Sequence, residues 1–315
     1  MRVAAFDCGT NSLRLLIADV DAHGQMTELR RETRIVRLGQ GVDATGEFAP
    51  EALERTFTAA REFAEVAAEY SPEKLRFVAT SASRDVKNRD EFSAGIFGIL
   101  GVVPDVITGD EEAHLSFLGA TVGQGADSGP FLVMDLGGGS TELVLGTESV
   151  TSAVSMDIGS VRLTERHMSV DVPDRTQIQA AIDDIDANLD KAAEIVDLAA
   201  PRTMIGVAGT VTTLAAGILD LDSYQRERIH GTHLRVADID GEANELLRMG
   251  REARAALPYM HPGRVDVIAA GGLLFARIAA RIDSAVRSAG AELDIMVSET
   301  DILDGTALDL ARPQS

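Results

Sequence analysis

Asp7-Cys8-Gly9-Thr10-Asn11-Ser12 and Asp135-Leu136-Gly137-Gly138-Gly139-Ser140 are the two stretches on which the fold turns. A shift of 128 residues lays one on the other with Asp, Gly and Ser in register. Each follows an apolar run, 3–7 or 131–135, and each returns after one charged residue into a second run. That charged residue is Arg14 in the first copy and Glu142 in the second. A repeated strand–turn–strand unit predicts two domains of one topology, their loops facing each other across a cleft that takes a ligand from both sides.

The chemistry of such a loop follows from its residue types. Glycines let the main chain approach an anion closely, and successive N–H groups form a nest for phosphate oxygens. A carboxylate at the strand end can hold Mg²⁺, which prefers oxygen ligands and keeps several waters. One copy alone could be an ordinary hairpin turn; two in register weigh against that reading.

Outward from the loops, short apolar runs alternate with segments of helical period, the pattern of an α/β chain. Strands are expected over 3–7, 13–18, 75–80, 131–135, 142–145, 204–208, 265–269 and 295–298. Helices are expected over 51–70 and 176–199, where apolar residues recur at three and four. The segment 121–130 carries four glycines or prolines and suits a crossing between halves. Domains are placed at 1–124 and 125–298, with a helix over 299–315 returning to the first. Gly206-Val207-Ala208-Gly209-Thr210 and Ala270-Gly271-Gly272 read as strand-to-helix junctions, where a helix N-terminus favours an anion.

Composition narrows the function. Fifty acidic against 29 basic residues leave a net charge of −21, so a general nucleic-acid footprint is excluded and any polyanion must be held locally. The longest uncharged run, 203–219, has 17 residues with four Thr and three Gly, too short and polar for a membrane span of about 20. Asp7 interrupts the N-terminus before a signal-peptide core forms. A single cysteine, Cys8, forms no intrachain disulfide and suits a reducing cytoplasm. His230 and His233 stand three apart without the Cys or carboxylate company that zinc prefers. By themselves Glu111 and Glu112 read as solvated acids at a helix start, and Arg84-Asp85 as a surface ion pair.

Taken together, the motifs resemble the exopolyphosphatase/guanosine pentaphosphate phosphatase family in its short, two-domain, actinobacterial-type form. The residues that carry the resemblance are Asp7 to Arg14, Thr80-Ser81-Ala82-Ser83-Arg84-Asp85, Gly109-Asp110-Glu111-Glu112-Ala113, Asp135 to Glu142, Gly159-Ser160-Val161-Arg162-Leu163-Thr164-Glu165 and the two glycine junctions. Ile302-Leu303-Asp304-Gly305 departs from the family pattern by its Asp.

The resemblance implies two ribonuclease-H-like domains of the superfold shared with acetate and sugar kinases, actin and the ATPase domain of heat-shock chaperones. It also implies Mg²⁺-dependent hydrolysis of a terminal phosphoanhydride, of inorganic polyphosphate or of guanosine pentaphosphate. By similarity Glu112 activates water, with Arg84 beside the reacting phosphoryl group. Asp135 and Glu142 hold the metal, with Asp7 a third carboxylate. Gly9, Thr10, Asn11, Ser12, Arg14, Gly137, Gly138, Gly139, Ser140 and Arg162 contact phosphates, and Gly209 and Thr210 line the ligand path. A non-catalytic sensor and a small-molecule kinase are the competing classes; a homodimer is compatible with the sequence. Few phosphate contacts near the reacting end suggest distributive cleavage of short chains.

Overall fold

A computed structural model describes residues 1–84 and 86–312, so the ion-pair reading of Arg84 with Asp85 and the last residues of the expected 299–315 helix lie outside the described residues. The chain forms two compact units, one of residues 1–119 with 300–315 and one of residues 120–299. The sequence had placed these divisions at 124/125 and 298/299.

In the first unit, β1 (Arg2–Cys8), β2 (Ser12–Val20), β3 (Met26–Ile35), β4 (Lys74–Ala79) and β5 (Asp105–Val106) form one sheet in the order β3-β2-β1-β4-β5. The first three strands run antiparallel, and β4 and β5 add in parallel. Because side chains alternate along a strand, β1 serves two cores. Ala4, Phe6 and Cys8 join Phe63, Phe77 and Phe92 under α1 (Pro50–Tyr70) and α2 (Arg89–Leu100). Val3 and Ala5 lie with Leu303, Ala307 and Leu308 of the C-terminal helix Ile302–Ala311. The same alternation assigns Asp7, and Arg14 opposite it, to the C-terminal-helix face.

A further helix, α3 (Gly109–Ala120), packs against that C-terminal helix through glycines. A Cβ on Gly119 would collide with the backbone carbonyl of Asp301, and one on Gly305 with that of Leu115. Both positions therefore exclude any larger residue.

The second unit repeats the plan. β6 (Phe131–Leu136), β7 (Thr141–Gly146), β8 (Val150–Met156), β9 (Thr203–Val207) and β10 (Asp294–Val297) lie in the order β10-β9-β6-β7-β8, the first sheet's order written backwards. Around them stand α4 (Ser160–His167), α5 (Arg175–Ala193), α6 (Ala208–Ile218), α7 (Val236–Arg248) and α8 (Ile268–Ser288). Two mixed five-stranded sheets of one order are the two like domains that the repeat predicted, and the ribonuclease-H-like pair that the resemblance implied.

Several expectations need correction. Residues 265–269 form a turn entering α8, not a strand, and Ala270-Gly271-Gly272 lie inside that helix instead of at a strand end. Short apolar runs do not separate strand from buried helix, and α8 buries 13 of its 21 residues. There Gly271 admits the side chain of Thr210, so its glycine serves packing. The helix expected to Ala199 ends at Ala193. Edge strands β3 and β8 carry the polar, half-exposed residues that edges tolerate, so they present no apolar run to find.

Candidate active site

The two Asp-Gly loops close in the same way. Gly9 N donates to Ser12 O at 2.9 Å, and Gly137 N donates to Ser140 O at 3.1 Å. In the first loop, Thr10 Oγ1 and Ser81 Oγ lie 3.1 Å apart, linking the loop to the short helix Ser81–Arg84. The Thr10 carbonyl accepts from Gly39 N at 2.9 Å, and the Asn11 carbonyl accepts from Val36 N and Arg37 N. In the second loop the carbonyls are taken up by the start of α4. Ser160 N donates to Gly137 O at 3.0 Å, while Val161 N and Arg162 N donate to Gly138 O at 2.8 and 3.1 Å. Gly159 lets the helix come this close, since a Cβ there would overlap the backbone of Gly137 and Gly138.

Arg14 lies where the first loop returns, but its guanidinium is committed. Nε and Nη2 both donate to Asp7 Oδ2, at 2.8 and 2.6 Å, and Nη1 donates to Asp301 Oδ2. Asp7 Oδ1 is buried with no hydrogen-bond partner. Burial raises the Asp7 carboxyl above the ordinary range, with Arg14 opposing. At Asp301 burial is outweighed by Arg14 and Arg31, which hold the carboxyl below that range. Asp304, the departure from the family pattern, is fully buried and accepts from Arg31 Nη2 at 2.5 Å. Cys8 points into the core, where burial pushes its thiol well up.

The two glutamates separate by surroundings. Both open α3, yet Glu112 is buried at 6% exposure and accepts from Arg84 Nη2 at Oε2. Arg84 is steadied by Nε donating to the Ile107 carbonyl at 3.2 Å. Glu111 is half-exposed and accepts from Arg76 Nη2 at 2.5 Å, in a cluster with Asp105 and Asp309. Adjacent helical residues differ in direction by about 100°, so one carboxylate turns inward and the other to the surface.

In the second unit Asp135 and Glu142 are cross-strand partners in β6 and β7, both buried. Ser155 Oγ of β8 donates to Glu142 Oε1 at 2.7 Å. Arg162 on α4 reaches Asp157, Nη1 to Oδ1 at 3.0 Å. Thr210 is buried near the start of α6, after Ala208 with φ at 71°. The Arg264 guanidinium lies over Gly209, with Nη1 donating to Thr213 Oγ1 at 2.9 Å.

Among the described residues no three His, Cys, Asp or Glu side chains converge as a metal cage. A pair of buried carboxylates nevertheless suits Mg²⁺, which uses one or two protein carboxylates and completes its shell with water and phosphate. His233 and His230 are otherwise engaged: Asp294 faces His233 Nδ1 at 2.7 Å, and Glu299 N donates to His230 Nδ1. Sequence reasoning missed Asp301, Arg76 and Ser155. Asp301 with Asp304 could have been seen as a capping box, but nothing local discloses its partner Arg14.

Two sheets of one strand order, each with a glycine loop closed in the same way after its central strand, have the architecture of the actin-like superfold. The chain belongs to the Ppx/GppA phosphatase family, whose pattern it matches over residues 16–288. It is 48% identical to Exopolyphosphatase 2 of Mycobacterium tuberculosis, over 98% of each chain. A solved exopolyphosphatase-like protein, also 48% identical, superposes with a TM-score of 0.94 over 98% of this chain and 97% of that one. The Cytophaga hutchinsonii exopolyphosphatase, 25% identical, gives 0.87 over the whole of both chains.

Proposed function

We propose that this chain is an exopolyphosphatase that hydrolyses the terminal phosphoanhydride of inorganic polyphosphate and releases orthophosphate. Its substrate class is supported by the relatives named exopolyphosphatase, at up to 48% identity over nearly the full chain. The observation that carries the mechanism is the burial of Glu112 against Arg84, beside a Glu111 turned outward. Phosphoryl transfer asks a protein to place water and neutralise charge. Glu112 takes the proton as water attacks the terminal phosphorus, the bridging P–O bond breaks, and the shortened chain leaves with the electron pair. Arg84 anchors the base and offers charge to the phosphoryl oxygens. Asp135 and Glu142 would hold magnesium, which would supply charge neutralisation at the phosphates that the acidic protein lacks. N–H groups of Thr10 to Ser12 and Gly138 to Ser140 serve as phosphate donors, with Arg162 for later phosphates.

Guanosine pentaphosphate ends in the same group and is the second reading, favoured by Gly209 and Thr210 in the first turn of α6 with the Arg264 guanidinium beside Gly209. A cytoplasmic setting agrees with one buried cysteine, and no helix among the described residues is long and apolar enough to cross a membrane. Purified protein with Mg²⁺ and polyphosphate, guanosine pentaphosphate or ATP, assayed for orthophosphate, tests both readings. Release from polyphosphate above the other two supports the first; release from none of them removes it.

A further inference from the structure

We propose that Asp301, which caps the C-terminal helix, is a positioning residue for the phosphate loop. It holds the Arg14 guanidinium so that Arg14 fixes Asp7 with one carboxylate oxygen engaged and the other bare. The proposal rests on the hydrolase reading above.

The geometry is specific. Three donors of Arg14 are committed, two to the same Asp7 oxygen and one to Asp301. Asp301 is itself immobilised: Oδ1 accepts from Leu303 N at 3.0 Å, and its own N donates to Asp304 Oδ2 at 3.0 Å. Asp304 is tied to Arg31 of β3. The Asp301 backbone is wedged against Gly119 of α3, the helix that carries Glu112. One turn of chain thus sets both the carboxylate at the head of the loop and the helix of the base.

A network built for stability alone would satisfy its buried atoms, because an unpartnered buried oxygen is costly. Here two carboxylates share Arg14 while Oδ1 of Asp7, on the strand that leads into the Gly9–Ser12 turn, has no partner. That buried, unpartnered oxygen, on a carboxylate whose other oxygen is held by Arg14, is the feature Asp301 maintains.

Asp301→Asn keeps a capping oxygen and removes the anion. Turnover is expected to fall about tenfold, as when an outer partner of a site ligand is lost, with KM for polyphosphate within about twofold. Arg14→Gln lowers turnover further, and adding Asp301→Asn to it changes nothing more, because Asp301 acts through Arg14. Asp309→Asn, the same charge change on the same helix, leaves kinetics unchanged. Should Asp301→Asn fail to fold, Asp301→Ser, also a good cap, takes its place. Unchanged turnover, or effects that multiply in the double variant, overturns the proposal. If the unsubstituted protein hydrolyses nothing, the hydrolase reading fails. The proposal is then judged by calorimetric binding of inorganic phosphate: threefold weakening by Asp301→Asn supports it, and equal binding overturns it.

Discussion

Asp135 stands directly opposite Glu142 across β6 and β7, the same place that Arg14 takes opposite Asp7 across β1 and β2. In one copy the pair is a salt bridge; in the other it is two buried acids. Like charges directly opposed in a sheet repel, and a divalent cation relieves that. Asp135→Asn and Glu142→Gln each remove an anionic oxygen from that pair. Each should therefore raise the half-saturating Mg²⁺ concentration at least about tenfold. Magnesium titrations of rate that coincide with the unsubstituted protein in both variants would show the metal arriving only with substrate.

Glu112→Gln keeps the shape and loses the basicity, so kcat should fall by about 10² to 10⁴ with binding retained. Glu111→Gln should stay within about twofold of the unsubstituted rate, since that carboxylate is at the surface with Arg76. Initial rates of orthophosphate release decide it, and equal losses in both variants would remove the distinction.

Gly159→Ala should cost activity at least about tenfold, because a methyl there pushes on the Gly137 and Gly138 backbone that makes the second loop. Circular dichroism should show the fold retained. Full activity of a folded Ala variant would mean that the loop tolerates displacement.

A pH test falls outside the site, at Glu242. Partial burial raises its carboxyl above the ordinary range, with Tyr259 Oη donating at 3.0 Å and opposing the rise. A raised carboxyl favours the native state while protonated, so its contribution is complete below the unfolded pKa of about 4.3 and lost as pH rises through the folded value. Glu242→Gln accepts the same hydrogen bond without the charge. Its Tm should match that of the unsubstituted protein near pH 4 and exceed it by about 1–2 °C at pH 7. Parallel melting curves across that range would contradict the assignment.

The sequence alone determined the repeat, the Asp-Gly loops and the central strands, because those features are local. A strand buried on both faces reads as a continuous apolar run, and a glycine turn reads as itself. It also marked Glu111 and Glu112 as a pair without separating them by any local signal. Only the tertiary structure turned Glu112 onto Arg84 and Glu111 onto Arg76, because that choice depends on which face of α3 the sheet covers. The same holds for residues 265–269, whose apolar character fits a strand or a buried helix equally and is decided by packing. The clearest case is Arg14, read as a phosphate contact and found shared between Asp7 and Asp301, 287 residues away. Sequence records which charges exist; which of them neutralise one another is set by long-range packing that brings the last helix onto the first strands.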